Sequence, residues 1–511
     1  MVLRRIVYVA SCVLLTTLLF RALVLYKPPP APEHCSTARN HSRIKLTNEA
    51  LTRFKGALNI PTISYKSHEY DADQLLKLIA LIERSFPRIH QSKIVKRELV
   101  ANYTLVYTVA GKNRRLRPYM LTSHMDVVPA VAEKWSSNPF EAVLKDDGHL
   151  YARGTIDAKH LLMSMLEAFE TMLAEGFEPE RSFYLVFGHD EETGGLEGAV
   201  TVARLLEDRL RNERWNRLEY VLDEGNIISK TPVLGIDRQI GLIGVSEKGY
   251  VTLKVSTTGA VGHGSMPPDM TAIAKLSKAV SKFHSHLFPS YFGEGVEREM
   301  LEVFAQYANW PYKIAYANLW LFKPIFEYFF SSDTTMNSFI RTSTAVTMIK
   351  GGTKENVLPD SAYALINHRI HPKQTVQDVL DYARAIIDDA TINVDIGGAH
   401  WTEPTPIAPY AEDTFGYQMI KRSVQEIYPD TVVVPSIFLA ASDSKWYINL
   451  TDSIYKFSAI AVPLEEMRRF HGHDERISLE NYENLINFYH HLIKNSEAPD
   501  LNLDSPPRTE L

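Results

Sequence analysis

Four short strings between residues 121 and 226 carry imidazole and carboxylate side chains that could bind metal ions. The strings are LTSHMDVVP, YARGTIDAK, FGHDEETGG and LDEGN, and a later string, FHGHDE, adds His471. Imidazole nitrogen together with carboxylate oxygen suits zinc, whereas magnesium or calcium requires nearly all oxygen. Two imidazoles and at least three carboxylates exceed the three protein ligands of an ordinary catalytic zinc, so a metal pair sharing a carboxylate fits better.

The elements that would position these residues are strands buried in a sheet with both faces covered. Three short apolar runs stop abruptly at polar groups: Pro118 to Ser123, Ser182 to Gly188 and Leu218 to Leu222. Such runs are typical of strands in a mostly parallel sheet, whose carboxyl ends meet at one crevice. We therefore expect His124, Asp126, Glu191 and Glu192 to point into the same crevice.

Asp157 is expected where a loop meets a helix. Apolar residues from Leu161 to Leu173 repeat with a helical period behind it, and Gly176 closes the run. A carboxylate there is favoured by the positive end of the helix. Any one such group is more often a cap or a solvated loop residue than a ligand, so the metal hypothesis depends on the whole set. Within LDEGN, the residues alone do not separate Asp223 from Glu224.

The strings H-M-D, G-T-I-D-A-K, D-E-E-T-G-G, L-D-E-G and F-H-G-H-D-E, in this order, resemble the zinc aminoacylase and carboxypeptidase S family of co-catalytic metallohydrolases. The resemblance extends from about residue 45 to about residue 495. VSEKG, IRTSTA, RIHPKQTVQ and the pair Asp443 and Ser444 are similar to the branch that handles N-fatty-acyl amino acids. The resemblance implies a dizinc enzyme that hydrolyses, and reversibly forms, the amide bond of N-acyl amino acids.

Carried over residue by residue, the resemblance also implies a ligand set for the two zinc ions. His124, Asp157 and Glu224 would hold one ion. Asp157, Glu192 and His471 would hold the other, so that Asp157 bridges the pair.

The same resemblance implies two catalytic carboxylates that bind no metal. Asp126, two positions beyond His124, would orient the imidazole. Glu191 would be the general base that takes a proton from the attacking water. The family pattern favours Glu224 over Asp223, because the ligand directly precedes the glycine expected to end the strand.

After Gly244 the pattern changes to that of an α+β unit with an antiparallel sheet. Strand, helix, strand, strand, helix and strand are predicted in order at Tyr250 to Ser256, Thr271 to His284, Thr344 to Lys350, Ala362 to Ile370, Thr375 to Asp388 and Ile392 to Ile396. The unit resembles the family's lid and dimerisation domain. We expect a zinc-exopeptidase-like α/β catalytic domain at residues 45–246 and 398–495, interrupted by a lid at 247–397.

Three lid residues match family positions that contact the substrate. His263, in GAVGHGSMP, would stabilise the oxyanion across a homodimer interface, and Asn356 and Arg369 would clamp the substrate's free carboxylate. Arginine suits this task because its planar fork binds a carboxylate bidentately. The alternatives are a structural loop histidine, a turn asparagine and a rim salt bridge.

A long insertion lies between the first lid helix and the second lid strand, at Ser285 to Ser343. Its string NLWLFKPIFEYFF holds more aromatic surface than a connecting loop requires. It would form either an apolar channel or membrane-facing surface for a long acyl chain, or part of the lid core or dimer interface. The aromatic and aliphatic residues concerned are Trp320, Leu321, Phe322, Ile325, Phe326, Phe329 and Phe330.

The amino terminus predicts the secretory pathway. Arg4 and Arg5 precede an apolar run, Ile6 to Phe20, and residues 1–27 are typical of a signal peptide or a signal anchor. Bulky residues before Ala22 favour an anchor over a cleavage site, so the catalytic domain would be lumenal or extracellular. Residues 28–44 would be a tether and 496–511 a tail. Sequons at Asn40, Asn102 and Asn449 agree with export, and Asn102 is expected on the more polar face of a strand.

Composition agrees with a two-domain enzyme. The 511 residues are 45% hydrophobic and include two cysteines, Cys12 and Cys35, so no disulfide framework holds the fold. A net charge of -6 without a long basic run argues against nucleic acid. The partners expected are a small-molecule substrate, a lipid surface and a second copy. Two other functions stay open, a carboxypeptidase or dipeptidase and a non-catalytic carrier. Ala440 and Ala441 stand where the family usually shows glycine.

Overall fold

A computed structural model describes residues 1–27, 43–211, 216–398 and 400–499. The strands in these ranges are β1 Ser64–Lys66, β2 Glu69–Tyr70, β3 Val95–Val100, β4 Thr104–Val109, β5 Tyr119–His124, β6 Val143–Leu144, β7 His149–Tyr151, β8 Phe183–Gly188, β9 Val221–Ser229, β10 Ile240–Glu247, β11 Gly249–Thr258, β12 Gly262–His263, β13 Ser343–Gly351, β14 Val357–Leu358, β15 Ser361–Ile370, β16 Ile392–Ile396, β17 Val432–Phe438, β18 Ile454–Val462 and β19 Arg476–Ser478.

The helices are α1 Val2–Phe20, α2 Asn48–Leu58, α3 Ala72–Ser85, α4 Pro87–Gln91, α5 Lys159–Ala174, α6 Gly198–Leu210, α7 Ala272–Ser285, α8 Val296–Tyr307, α9 Tyr312–Ala317, α10 Leu319–Ser332, α11 Thr334–Ile340, α12 Val376–Ile387, α13 Phe415–Ile427 and α14 Leu479–Asn495. A π-helical turn, Arg21–Leu25, continues α1. Most of the predicted tether, with Asn40 and Cys35, and residues 500–511 of the predicted tail lie outside the described residues.

An eight-stranded sheet forms the main body, in the order β17-β10-β18-β9-β5-β8-β4-β3. Four neighbouring pairs are parallel (β17 with β10, β18 with β9, β9 with β5, β5 with β8), which confirms the mostly parallel sheet. Alternate side chains of β5 enter different cores. Tyr119 and Leu121 pack in the core under α5 and α14, whereas Met120 packs in the core under α6. Both faces are therefore covered, as the apolar runs predict.

The lid is a separate antiparallel sheet, β13-β15-β11-β16, covered by α7 and α12. The six predicted elements coincide with these strands and helices to within a few residues. Their apolar side chains form a core of their own, in which Val251 and Ile366 lie next to helix residues such as Leu276 and Val379. The α/β fold with an inserted α+β unit is therefore confirmed. Strand β13 is largely exposed and pairs on one side with β15.

The string NLWLFKPIFEYFF does not fill the lid core, so that part of the alternative is wrong, although Phe288 near the start of the insertion does pack there. Helices α8 to α11 instead pack on the edge of the main sheet, where Phe304, Tyr316 and Phe330 form a third core with Val432 and Val434 of β17.

Three further expectations need correction. Strand β9 does not end at Leu222 but continues to Ser229, through Asp223 and Glu224. Asn102 is exposed, but it lies in the turn between β3 and β4 and not on a strand. The chain remains packed beyond Asn495, because the Ser496 carbonyl accepts a hydrogen bond from Arg181 Nε at 2.7 Å.

Candidate active site

Two imidazoles and three carboxylates meet at the carboxyl edge of the main sheet. His124 Nε2 lies 3.1 Å from Asp157 Oδ1 and 3.3 Å from Glu224 Oε2. His471 Nε2 lies 3.1 Å from Asp157 Oδ2 and 3.0 Å from Glu192 Oε2. Each imidazole nitrogen therefore faces two carboxylates, and Asp157 offers one oxygen to each group. Asp157 thus lies between the two imidazoles, as it would if it bridged two metal ions.

The positions of these side chains follow from the elements that carry them. His124 is the last residue of β5, Asp157 lies shortly before α5, and Glu192 lies in the 3-10 turn Glu191–Thr193 after β8. His471 has φ of +58°, an uncommon conformation for a side-chain-bearing residue, in the loop before β19. Strand ends and loops at one sheet edge thus supply four of the five side chains, as expected for an α/β sheet, and Glu224 comes from within β9.

Glu224 and Asp223 are separated by a β-bulge. Asp223 pairs with Lys456 and Asn226 pairs with Phe457, so Glu224 and Gly225 have no partner residue in β18. A Cβ on Gly225 would lie 2.5 Å from the Lys456 carbonyl carbon, which explains why glycine stands there. Asp223 points away, and its Oδ2 accepts a hydrogen bond from the Ser444 N–H at 2.9 Å. The geometry therefore brings Glu224, and not Asp223, to His124.

Asp126 connects the imidazole of His124 to the turn that carries Glu191 and Glu192. Its carbonyl oxygen lies 2.9 Å from His124 Nδ1, and its carboxylate accepts the N–H groups of Glu191 at 3.2 Å and Glu192 at 3.1 Å. The carboxylate therefore orients the acidic turn directly, a contact that its proximity to His124 in the sequence does not predict. Glu191 lies with His124 and Glu224 in a group whose ligand atoms are all within 4.8 Å.

A buried ion pair that the sequence did not reveal supports both the Asp157 loop and the His471 loop. Glu475 accepts the Ile156 N–H at 2.8 Å, and it pairs with Arg153 Nη1 at 2.7 Å. Arg153 Nη2 donates to the carbonyl of Gly472 at 3.1 Å. Glu475 lies inside the string FHGHDE, but its partners are more than 300 positions away, so no local pattern identifies its role.

Replacing Glu475 with glutamine should lower the free energy of unfolding by about 3 kcal/mol, because Arg153 would remain buried without its counter-charge. Urea denaturation followed by tryptophan fluorescence measures the loss. Glu294→Gln is the matched control, since Glu294 pairs with Lys373 at the surface and should cost less than about 1 kcal/mol. Equal losses in the two variants would show that the buried pair has no special role.

The electrostatics of the site call for cations. Burial raises the pKa of Glu224 to about 8 and that of Glu192 to about 7, and Glu192 Oε1 is buried without a hydrogen-bond partner. Hydrogen bonds to Asp157 and Glu192 raise the pKa of His471 to about 10. Burial raises the pKa of Glu191 well above its usual range, and the charge of Glu224 adds to this. Such an excess of buried carboxylate oxygens over imidazoles suits metal cations.

A cavity of about 770 Å³ joins this site to the lid. Such a volume lies in the usual range for a small-molecule site. Asp157, Glu191, Glu192, Glu224 and His471 line it. Eleven apolar or aromatic side chains also line it, namely Ile156, Leu161, Leu196, Phe438, Ala440, Ala441, Trp446, Met467 and Phe470 from the main body and Tyr250 and Trp401 from the lid and its return segment. The polar side chains in the rest of the lining are His160, Thr193, Arg369, His400, Thr402, Lys445 and Ser458.

Arg369 also lines the cavity, and its guanidinium lies over the Tyr250 ring at 5.0 Å from the centroid. Among the described residues it forms no ion pair with a protein carboxylate. Lys248 is close enough that burial, assisted by the Arg369 charge, lowers the lysine pKa to about 7. The lid thus presents the positive charge of the Arg369 guanidinium to the cavity without a carboxylate partner among the described residues.

His263 and Asn356 do not line this cavity. Both are exposed, and they lie together, because β12 pairs with β14 and the Gly264 N–H donates to the Asn356 carbonyl at 2.8 Å. The sequence predicts that three lid residues contact the substrate. Within one chain, Arg369 is the one of these three that lines the cavity with the carboxylates of the site.

Lys445 is a further cavity residue that the sequence analysis missed. Its Nζ donates to the Ser442 carbonyl at 3.2 Å. Burial lowers its pKa, but the charges of Glu191 and Glu247 outweigh burial and raise the pKa overall. The lysine follows the Asp443 and Ser444 pair directly, which is the signal that could have identified it.

Comparison with known proteins gives a family match and two full-length relatives. The model of peptidase family M20/M25/M40 matches residues 120–495. An N-fatty-acyl-amino acid synthase/hydrolase from Danio rerio is 41% identical over 470 residues, which cover 92% of this chain and 90% of that protein. The Homo sapiens protein of the same name is 34% identical over 498 residues, which cover 97% of each chain.

Among solved structures, the M20 family metallo-carboxypeptidase from Sulfolobus solfataricus superposes with a TM-score of 0.63 at 16% identity. The match covers 88% of this chain and 100% of that one. At that identity the likeness shows a shared fold.

Proposed function

Since this chain belongs to peptidase family M20/M25/M40, we propose that it is a metal-dependent amidohydrolase that cleaves, and reversibly forms, the amide bond of N-fatty-acyl amino acids. One observation supports the proposal most strongly. The same cavity is lined by the carboxylates at the sheet edge, by Arg369 and by many apolar side chains. An N-fatty-acyl amino acid has the matching parts, namely an amide, a free carboxylate and a long apolar chain. Each buried methylene would contribute about 0.8 kcal/mol.

The residues at the sheet edge fit two metal ions, and we propose zinc because the donors are mixed nitrogen and oxygen. His124, Asp157 and Glu224 would hold one ion, and Asp157, Glu192 and His471 the other. The buried, unpartnered Glu192 Oε1 supports this assignment. When bound, the ions would supply Lewis acidity that polarises the scissile carbonyl and acidifies the attacking water.

The side chains of this chain perform the proton transfers. Glu191 is placed to take a proton from the water and return it to the leaving amine nitrogen. Asp126 holds the backbone of Glu191 and so fixes the position of its carboxylate. Lys445, in the same cavity, compensates the negative charge around Glu191. Because a catalyst lowers the barrier equally in both directions, concentrations decide between hydrolysis and condensation.

Arg369 would bind the free carboxylate of the amino-acid half. Arg369→Lys should raise the KM for N-oleoyl-phenylalanine by about 10- to 100-fold, since a charge-assisted bidentate contact contributes about 1.5–3 kcal/mol. The KM for N-oleoyl-phenylalanine amide, which has no carboxylate, should change little in the same variant. Steady-state kinetics on both substrates makes the comparison. The control is Arg384→Lys on lid helix α12. A loss that is equal for the two substrates would remove Arg369 from carboxylate binding and weaken the proposed substrate class.

We propose that a homodimer completes the site, with His263 stabilising the oxyanion in the partner's cavity. The exposed, one-sided edge of β13 supports this, because such an edge can pair with a second copy. Co-expressing Glu191→Gln and His263→Ala chains should restore about a quarter of wild-type activity, since half of the randomly formed dimers are mixed and each has one complete site. Activity no higher than the sum of the two separate variants would place His263 outside the partner's site.

The catalytic body would be lumenal or extracellular, either secreted or attached by residues 1–27. The apolar helix Val2–Leu25, at 24 residues, is long enough to cross a membrane, and the sequon residues Asn102 and Asn449 are exposed. Digestion with an N-glycosidase should shift the mass of protein expressed in a eukaryotic cell. Absence of glycan at both positions would argue against export.

A further inference from the structure

One face of α10 stays apolar and exposed although the helix already packs its other face. Leu319, Phe326 and Phe330 contact the third core. The side chains on the opposite face are between 40% and 69% exposed, and they are Trp320, Leu321, Ile325, Tyr328 and Phe329. At 100° per residue these five fall within one half of the helix surface, and the charged Lys323 and Glu327 lie outside that half. A helix on a water-exposed surface normally has polar residues opposite its buried stripe.

The N-terminal segment packs against the beginning of this same helix. Arg21 Nε donates to the Ala317 carbonyl at 2.8 Å, and Asn318 Nδ2 donates to the Leu18 carbonyl at 3.2 Å. Ala22 is fully buried in the third core. The segment is thus built into the folded body, and Arg21, the one charged residue between Ile6 and Tyr26, has a hydrogen-bond partner in that body. Removal of residues 1–27 would uncover these contacts.

The rest of the N-terminal helix is unsuited to water. The helix Val2–Leu25 has 24 residues, mostly apolar, with charges at Arg4, Arg5 and Arg21, and it is about 36 Å long, against a hydrocarbon layer of about 30 Å. Nearly all of its side chains are exposed, and a groove between them is closed by Trp320 of α10. The exposed face of α10 is therefore continuous with a surface that has the length and composition of a membrane span.

We propose that residues 1–27 are retained and that α1 and the exposed face of α10 together bind a lipid bilayer, with α1 across it and α10 along its surface. Tryptophan and tyrosine favour the boundary between lipid and water, where Trp320 and Tyr328 would lie. An in-plane helix buries its apolar face about 5–10 Å into this boundary. Continuity with α1 favours lipid over a second copy as the occupant. On the proposed function, this surface would hold the enzyme where amphiphilic acyl substrates partition.

The test uses the full chain in phosphatidylcholine vesicles and does not depend on turnover. In a Cys12→Ser, Cys35→Ser background, a single cysteine at Tyr328→Cys or Phe329→Cys carries an environment-sensitive fluorophore. Lipids with a nitroxide near the head group should quench both labels about two-fold or more, because the face would lie at that depth. Leu76→Cys is the control, since it is exposed on α3, beside the β3 end of the main sheet and far from β17.

Three results would overturn the proposal. Quenching at positions 328 and 329 that does not exceed that at Leu76→Cys would place α10 in water. A blue-shifted label that lipid nitroxide does not quench would show that protein, such as a second copy, covers the face. Mass spectrometry of the mature protein should recover a peptide from within Ile6 to Arg21, and a mature amino terminus at or beyond Ala22 would exclude a retained anchor. Failure of the amidohydrolase proposal would leave all three readouts unchanged.

Discussion

Replacing Glu191 with glutamine is expected to lower kcat for amide hydrolysis by about 10²- to 10⁴-fold, the usual contribution of a general base. Glutamine has nearly the same shape but cannot accept the proton of the attacking water. Elemental analysis should find the metal content unchanged, because His124 and His471 face other carboxylates directly.

Metal content distinguishes a general base from a metal ligand at Glu191. Glu191 lies within 4.8 Å of His124 and Glu224, close enough to be a ligand itself. Loss of one metal ion in Glu191→Gln would make it a ligand and leave the general base unassigned. Glu178→Gln is the matched control, because Glu178 pairs with Lys112 just before β8, at the opposite edge of the sheet from the site, and should change neither kcat nor metal content.

The second large effect is expected at Asp157, which lies between the two imidazoles. Asp157→Asn should reduce bound metal from two ions to one or fewer per chain. It should also lower kcat/KM by at least about 10³-fold, since metal ions contribute several kcal/mol to the transition state. The amide keeps the size of the side chain but removes the charge that two cations would share. Equilibrium dialysis with elemental analysis measures the occupancy.

Asp389→Asn is the control for this variant, since Asp389 is an exposed turn residue whose carboxylate accepts a hydrogen bond from the Thr391 N–H. It should retain full metal content and activity. Two ions per chain in Asp157→Asn would contradict the bridging role, whatever the activity.

The sheet and the lid could be predicted because their signals are local. Tyr119 to His124 and Phe183 to Gly188 are short, continuous apolar runs, and β15 alternates buried and partly exposed residues along its length. The candidate ligands could be named because their order along the chain resembles a known family. Spacing alone left Asp223 and Glu224 unresolved.

What the sequence could not predict depends on contacts between distant residues. The bulge that turns Glu224 toward His124 is set by pairing with Lys456 and Phe457 of β18. The link from Glu475 to Arg153 joins segments more than 300 positions apart. For α10, composition showed an excess of aromatic residues, but only packing against β17 decides which face is buried. Contacts between residues that are distant in the sequence, and not local propensity, determine each of these features.

The substrate class can be measured as the ratio of kcat/KM for N-oleoyl-phenylalanine to kcat/KM for the dipeptide Gly-Leu, with zinc-loaded full chain as the enzyme and Glu191→Gln as the blank. The apolar cavity and Arg369 predict preferred cleavage of N-oleoyl-phenylalanine, with release of oleate and phenylalanine that is lost in the variant. Preferred cleavage of Gly-Leu would instead make the protein a dipeptidase. Binding of N-oleoyl-phenylalanine without turnover would make it a carrier and contradict the catalytic account.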